Sequence, residues 1–167
     1  IVEKNEARKL FEFNSNEKIL LFGTYNLDAP HKGGRILGEI LSLFADHCNR
    51  LNESYLENNS IRLVTFGRKQ NFNIKIKSIT WTHLEEISSD KKLNYLYRSA
   101  DVFLSPSTGC NAPSTVRESV VNDLPVIAFD NGEASETIID NVNGYLIEKF
   151  DKQKFAEAIF KTLFEKK

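Results

Sequence analysis

The side chains that could do chemistry in this sequence are scattered charged groups and thiols, with no recognisable metal-binding cluster. Cys48 and Cys110 have neither C-x-x-C spacing nor a histidine pair beside them, so we expect free thiols, no zinc site and no disulfide. The three histidines belong to different predicted elements. His83, expected in a loop after Trp81, is the one that could act in catalysis, but a non-catalytic role is favoured. Trp81 is expected to pack in the core or at an edge and not to stack on a base.

Lys32 lies where an apolar segment gives way to an amphipathic helix. The start of a helix presents free backbone N–H groups, and a lysine adds a compact positive charge. Lys32 and the backbone at Gly33 would therefore suit a phosphate group. An ordinary solvated lysine is the alternative interpretation.

Glu118 closes the segment 115–118 (TVRE), which matches the capping-box pattern S/T-x-x-E. In that motif the Glu118 carboxylate would only bond the backbone of Thr115 at the start of a helix. A carboxylate at the same place could instead accept hydrogen bonds from two hydroxyl groups of a ligand. The spacing alone leaves both roles open.

Short apolar runs alternate with helical periodicity along the chain, and these elements would have to position the charged residues. Strands are predicted at 19–22, 61–66, 74–81, 101–104, 125–129 and 144–147, and helices at 33–50, 90–100, 115–122, 134–140 and 152–164. This alternation predicts an α/β fold with a Rossmann-like, doubly wound parallel sheet of about six strands. Such sheets bind ligands at the carboxyl ends of their strands, near the switch point. Those ends correspond here to loops 23–33, 67–73, 82–88, 105–114 and 130–135.

The composition fits one ordinary domain of 167 residues, 41% hydrophobic and 27% charged. We assign residues 1–17 to an entry helix or interdomain linker and 18–167 to the domain itself. The 22 basic and 23 acidic residues leave a net charge of −1, which argues against a general nucleic-acid binder. The longest apolar runs have four residues, far short of the ~20 that span a bilayer. Because the chain starts at Ile1 and contains no methionine, we expect a piece of a longer protein.

Four short motifs follow one another in order along the second half of the sequence. The set consists of residues 100–107 (ADVFLSPS), Glu118, residues 124–128 (LPVIA) and residues 143–144 (NG). It resembles the carboxyl-terminal, nucleotide-sugar-binding domain of retaining glycosyltransferases with the GT-B fold, and most of all glycosyltransferase family 4. The likeness runs from about Ile19 to Phe164.

The sequence departs from the pattern of that family at several places, among them Asp123 and Glu133, where the family has glycines. The family has two carboxylates separated by seven residues, and counting back from Glu118 puts the first at Cys110, which is not acidic. The family also commonly has Gly-Arg followed by Lys-Gly in its first loop. Here residues 23–24 (GT) keep the glycine and lose the arginine, while residues 31–33 (HKG) keep the lysine after a longer loop.

The resemblance implies a domain that binds a nucleoside-diphosphate sugar and transfers the sugar, with retained configuration, to a glycan or lipid-linked acceptor in bacterial surface polysaccharide synthesis. It implies catalytic roles for Lys32, beside the departing diphosphate, and for Glu118, on the ribose hydroxyls. The expected donor-binding residues are Gly23, Thr24, Lys32, Gly33, Cys110, Asn111, Ser114, Thr115 and Glu118. No metal and no other cofactor are expected.

The resemblance also implies a separate amino-terminal domain for the acceptor, so we expect no sugar transfer by this chain alone. The expected location is the cytoplasm, with membrane association only through the full-length protein. The alternative is a non-catalytic nucleotide-sugar-binding or scaffold domain, which the loss of the carboxylate at position 110 motivates. A flavodoxin-like or receiver domain would share the topology, but the phosphate-loop composition or paired aspartates that it needs are not found.

Overall fold

Six strands of the computed structural model, which describes residues 2–109, 114–132 and 134–165, pair into one parallel sheet. The strands are β1 (Lys18–Asn26), β2 (Ile61–Arg68), β3 (Ile79–Leu84), β4 (Val102–Ser105), β5 (Val126–Phe129) and β6 (Gly144–Ile147). Their spatial order is β3-β2-β1-β4-β5-β6, and every neighbouring pair is parallel. This order confirms the predicted doubly wound, Rossmann-like α/β fold.

Helices cover both faces of the sheet. They are α1 (Lys4–Leu10), α2 (Gly34–Leu51), α3 (Tyr55–Asn58), α4 (Asp90–Ser99), α5 (Ser114–Val121), α6 (Ala134–Thr137) and α7 (Lys152–Phe164), and a 3-10 turn spans Pro30–Lys32. Ser89 caps the start of α4, because its hydroxyl accepts a hydrogen bond from the N–H of Lys92 at 3.3 Å. The helices and the 3-10 turn account for most of the chain outside the sheet.

The central strand β1 shows why the sheet is buried on both faces. Ile19 and Leu21 pack into one hydrophobic cluster, with α4 and α5, whereas Leu20 and Phe22 pack into the other, with α2 and α7. Successive side chains of a strand point to opposite faces, so a continuous apolar run serves both clusters. The result is three layers, with the core divided by the sheet.

The predicted strand 74–81 is wrong in position. The strand begins only at Ile79, after an antiparallel bridge between Ile76 and Ile79 and a positive φ of 66° at Ser78. Ile74 is nevertheless buried, because the loop before β3 turns its apolar side chain into the cluster beneath α2. Alternation of isoleucine with lysine therefore marked a covering loop. The expected edge position is confirmed, since β3 is the outermost strand.

The segment that precedes β1 packs firmly against the domain. Arg8 on α1 is buried, and its guanidinium donates hydrogen bonds to Asp101 at 2.9 Å and to the carbonyl oxygens of Ser99 and Ser15. Asp101 also accepts the N–H of Ile19 at 2.7 Å. The buried residues of α1 are Ala7 and Arg8, whereas Leu10 is exposed. An interdomain linker at 1–17 stays a prediction.

Candidate functional site

The chain connections that follow the two central strands, β1 and β4, lead to opposite faces of the sheet. The helix that follows β1 is α2, which packs on one face through Leu37, whereas α5, which follows β4, packs on the other face through Val116. A crevice therefore forms at the carboxyl ends of β1 and β4, the switch point where open α/β sheets bind ligands.

Two loops meet in this crevice and are joined by one carbonyl oxygen. The carbonyl of His31 accepts hydrogen bonds from the hydroxyl of Ser107 (3.0 Å) and from the N–H groups of Thr108 (2.9 Å) and Gly109 (3.4 Å). The loop after β1 is therefore fixed against the loop after β4. It also contacts the loop after β2, because the Asp28 carboxylate accepts the N–H groups of Gln70 (2.6 Å) and Asn71 (2.9 Å). These bonds hold the pKa of Asp28 below its usual range.

Gly33 is the residue that permits this close approach. Its φ of 83° lies in the left-handed region, and a Cβ atom there would stand 2.0 Å from the carbonyl oxygen of Pro106. Lys32, which precedes it, is half-buried and has no ion pair among the residues that the structure describes. Lys32 thus precedes the glycine that faces the loop after β4, with a charge that is available to an anion.

Gly23 and Thr24 lie within β1, which continues to Asn26, and not in the predicted loop 23–33. The ring of Phe66 occupies the space beside Gly23, since a Cβ atom on this glycine would lie 2.1 Å from the ring. Thr24 is buried, and its carbonyl oxygen lies directly below Gly67, where a Cβ atom would come within 1.8 Å. Packing between β1 and β2 accounts for the glycine at position 23.

The Glu118 carboxylate is held by a tyrosine and not by a capping box. Helix α5 begins at Ser114, so Thr115 is its second residue and cannot be the N-cap that the motif requires. The Oε2 atom of Glu118 instead accepts a hydrogen bond from the hydroxyl of Tyr97 at 2.6 Å. The capping interpretation of Glu118 is therefore wrong. The hydroxyl of Thr115 is buried and has no hydrogen-bond partner in the described part of the chain, so it is a group that a ligand could satisfy.

Sequence reasoning missed a charged pair at the neighbouring strand ends. Arg68, the last residue of β2, pairs with Glu86 at 2.8 Å and lies 4.7 Å from the ring centroid of the exposed Tyr25. The pairing with Glu86 raises the pKa of Arg68. The signal available in the sequence was a basic residue directly after the glycine that ends an apolar strand.

The family to which the chain can be assigned follows from comparison with known proteins. A family model described as "Glycosyl transferases group 1" matches residues 33–164, a range that begins at Gly33 and includes the loop after β4 and Glu118. The chain belongs to this glycosyltransferase family.

This glycosyltransferase domain resembles one enzyme subunit in sequence and two solved structures in fold. The domain is 29% identical over 84 residues to the GtfA subunit of a UDP-N-acetylglucosamine–peptide N-acetylglucosaminyltransferase from Streptococcus parasanguinis, a match that covers 48% of this chain and 17% of that protein. It superposes on sucrose-phosphate synthase from Thermosynechococcus elongatus with a TM-score of 0.74 and 19% identity, over 96% of this chain and 40% of the other. For WaaG, a glycosyltransferase involved in lipopolysaccharide biosynthesis, the TM-score is 0.73 at 20% identity, over 97% and 42%.

The glycosyltransferase domain therefore has the GT-B type of fold, as the sequence resemblance implied. It spans less than half the length of each of these three proteins. Gly33 lies against the loop after β4 and Lys32 directly precedes it, while Ser114, Thr115 and Glu118 lie on the helix that follows that loop. Cys110 and Asn111 lie outside the described residues.

His83 of the glycosyltransferase domain lies in β3 and not in a loop, so its predicted position is wrong. Its Nδ1 atom is 3.0 Å from the hydroxyl oxygen of Thr65, which also accepts a hydrogen bond from Trp81 at 2.9 Å. Burial lowers the pKa of His83. Trp81 is half-buried and packs edge-on against Phe72, so its packing role is confirmed.

Residues 2–109, 114–132 and 134–165 contain no group of three or more histidine, cysteine, aspartate or glutamate side chains that could hold a metal ion. No helix among them is both long and apolar enough to cross a membrane.

Proposed function

We propose that this glycosyltransferase domain binds the nucleoside-diphosphate sugar of a retaining enzyme in the crevice between β1 and β4. The observation that carries the proposal is the joined pair of loops at this crevice, with the unpaired Lys32 in one of them and Glu118 on the helix after the other. A positive charge and a carboxylate on either side of a switch-point crevice suit the two ends of a ribose diphosphate.

The reaction would break the bond between the anomeric carbon and the diphosphate oxygen and form a bond from that carbon to a hydroxyl oxygen of the acceptor. The hydroxyl proton would pass to the departing diphosphate, on which negative charge develops. Lys32 would stabilise this charge together with N–H groups at the starts of α2 and α5. The unpaired hydroxyl of Thr115 would donate to a phosphate oxygen, and Ser114 would present its backbone N–H. In this proposal Lys32 and the helix N–H groups supply the positive charge that a metal ion would otherwise supply.

Glu118 would accept hydrogen bonds from the ribose hydroxyls. Bonds of this kind to a carboxylate are charge-assisted, and one contributes about 1.5–3 kcal/mol. Gly23, Thr24 and Gly33 would shape the backbone floor of the crevice, and Cys110 and Asn111 remain predicted donor-binding residues. The name of the streptococcal relative contains UDP-N-acetylglucosamine, so UDP is the first nucleotide to test.

The acceptor belongs to the wider proposal. We place it, a glycan or a lipid-linked saccharide, on a separate amino-terminal domain, with the whole enzyme acting in the cytoplasm on bacterial surface polysaccharide. The involvement of WaaG in lipopolysaccharide biosynthesis and the short span of this chain relative to its relatives support this view. Sugar transfer by the present chain alone would contradict it.

A non-catalytic nucleotide-sugar-binding or scaffold domain is the second candidate. Its support is Cys110, which stands where the family pattern has an acidic residue. The two candidates share the nucleotide site and differ in turnover. Sugar transfer by the full-length protein, lost in its Lys32→Ala variant, would favour the enzyme. Nucleotide binding without turnover would favour the scaffold.

The proposal is tested by titrating UDP, GDP, CDP and ADP into the chain. We expect one of them to bind with a Kd of about 10 μM to 1 mM. At one hundred times its Kd that nucleotide should stabilise the fold by about 2.7 kcal/mol. Lys32→Ala should weaken binding about tenfold, whereas Lys9→Ala, which removes an exposed lysine on α1, should not. Addition of EDTA should leave the affinity unchanged. Failure of all four nucleotides to bind would refute the proposal.

A further inference from the structure

We propose that Tyr97 is a positioning residue that holds the Glu118 carboxylate ready for the ribose of the donor nucleotide. This inference rests on the function proposed above, and it assigns to a residue on α4 a part in a site formed by β1, β4 and α5. It begins from the 2.6 Å hydrogen bond that the Tyr97 hydroxyl donates to Oε2 of Glu118.

The hydroxyl of Tyr97 is a fixed point because its ring is fully buried and packed on two sides. Phe66 meets the ring edge-on with centroids 6.0 Å apart, and Phe103 does so at 6.1 Å. Burial, together with the bond to the Glu118 carboxylate, raises the pKa of Tyr97 well above its usual range, so the phenol keeps its proton and can only donate to the carboxylate. Tyr97 therefore acts as a rigid donor at every working pH.

Glu118 needs such a donor because it is a long side chain at a half-buried position. Side chains of a helix tilt toward its amino terminus, so the carboxylate extends from α5 toward the crevice. The bond from Tyr97 occupies one lone pair of Oε2, which leaves Oε1 and the second lone pair of Oε2 for ligand hydroxyls. Holding the carboxylate in one orientation removes part of the entropy cost of binding.

The same packing connects the positioning residue to β1. The ring of Phe66 that contacts Tyr97 also fills the space beside Gly23. A continuous line of contacts therefore runs from Gly23 through Phe66 and Tyr97 to Glu118. Through this line of contacts, Gly23 within β1 would act on the ribose end of the site.

The test compares Tyr97→Phe with the parent chain, using UDP and 2′,3′-dideoxy-UDP as the two ligands. The parent should bind UDP at least tenfold more tightly than the dideoxy nucleotide, because the latter lacks both ribose hydroxyls. Tyr97→Phe should weaken UDP binding about 3- to 10-fold and leave dideoxy-UDP binding unchanged. Tyr95→Phe, on the same helix, is the matched control and should change neither affinity.

Equal losses for both ligands in Tyr97→Phe would show a merely structural role and overturn the inference, as would no loss for UDP. A parent chain that binds UDP and dideoxy-UDP equally well would instead refute the ribose role of Glu118, and the positioning role would fail with it. If Tyr97→Phe does not fold, Phe66→Leu replaces it, since this variant keeps the hydroxyl and loosens the ring. It should show the same selective loss for UDP, and an equal loss for both ligands would overturn the inference.

Discussion

The hydrogen bond between Tyr97 and Glu118 should contribute measurably to the stability of the fold. Glu118→Ala removes the acceptor and leaves the Tyr97 hydroxyl buried without a partner. An unsatisfied buried donor costs about 1–3 kcal/mol, and for a chain of this size about 1 kcal/mol lowers Tm by 2–4 °C. The expected loss in Tm is therefore roughly 2–12 °C. Urea denaturation followed by fluorescence gives the free energy directly, provided that the m-value does not change.

The double variant Tyr97→Phe/Glu118→Ala decides the cause of that loss. Removing both partners of a buried hydrogen bond can be nearly neutral, so the double variant should recover most of the stability lost in Glu118→Ala. Glu118→Gln should cost less than Glu118→Ala, because its amide oxygen can still accept the tyrosine bond. Glu6→Ala, at an exposed position on α1, is the control and should stay within about 0.5 kcal/mol of the parent. Additive losses in the double variant would refute the reasoning.

Three further predictions concern other parts of the chain. The hydrogen bond from Arg62 holds the pKa of the buried Glu17 below its usual range. The stability that this ion pair contributes is therefore present above the unfolded pKa of Glu17 and is lost as pH falls through the folded pKa. In urea denaturation Glu17→Gln should cost about 3 kcal/mol at pH 7 and less at pH 3, and an equal cost at both would contradict this. Burial raises the pKa of Cys48 to about 11. In a Cys110→Ser variant, the Cys48 thiol should therefore react with a disulfide reagent at pH 8 only after the chain unfolds. Prompt reaction of the folded chain would be evidence against the burial. Gly33→Ala should cost more than about 1 kcal/mol and weaken UDP binding, since φ there is 83°; a stable variant with parental affinity would show that the crevice tolerates the change.

Much of the fold could be predicted because buried parallel strands and amphipathic helices leave plain patterns. Helix α7 was predicted with its observed ends, Lys152 and Phe164. The predicted strand at 74–81 failed because Ile74 is buried from a loop, and a period-two pattern cannot distinguish such a loop from a strand. The short helix Tyr55–Asn58 was missed because one apolar turn has no periodicity to detect.

Less of the candidate site than of the fold could be predicted from the sequence. Lys32 and Glu118 were singled out by resemblance, but the capping alternative depended on where α5 begins, and helix ends are the least certain part of a sequence-based prediction. The role of Tyr97 could not be predicted, because it lies 21 positions from Glu118 on another helix. Only tertiary packing brings the two side chains together. The pairing of Arg68 with Glu86, 18 positions apart, was hidden for the same reason.

The most direct test of the central claim is an amide NMR titration of the chain with UDP. The account predicts that the largest shifts fall on Gly33 and Lys32 in the loop after β1, on Thr108 and Gly109 in the loop after β4, and on the first turns of α5 near Glu118. Shifts confined to the amino-terminal ends of the strands, around the cleft lined by Lys4, Asn122 and Pro125, would contradict it.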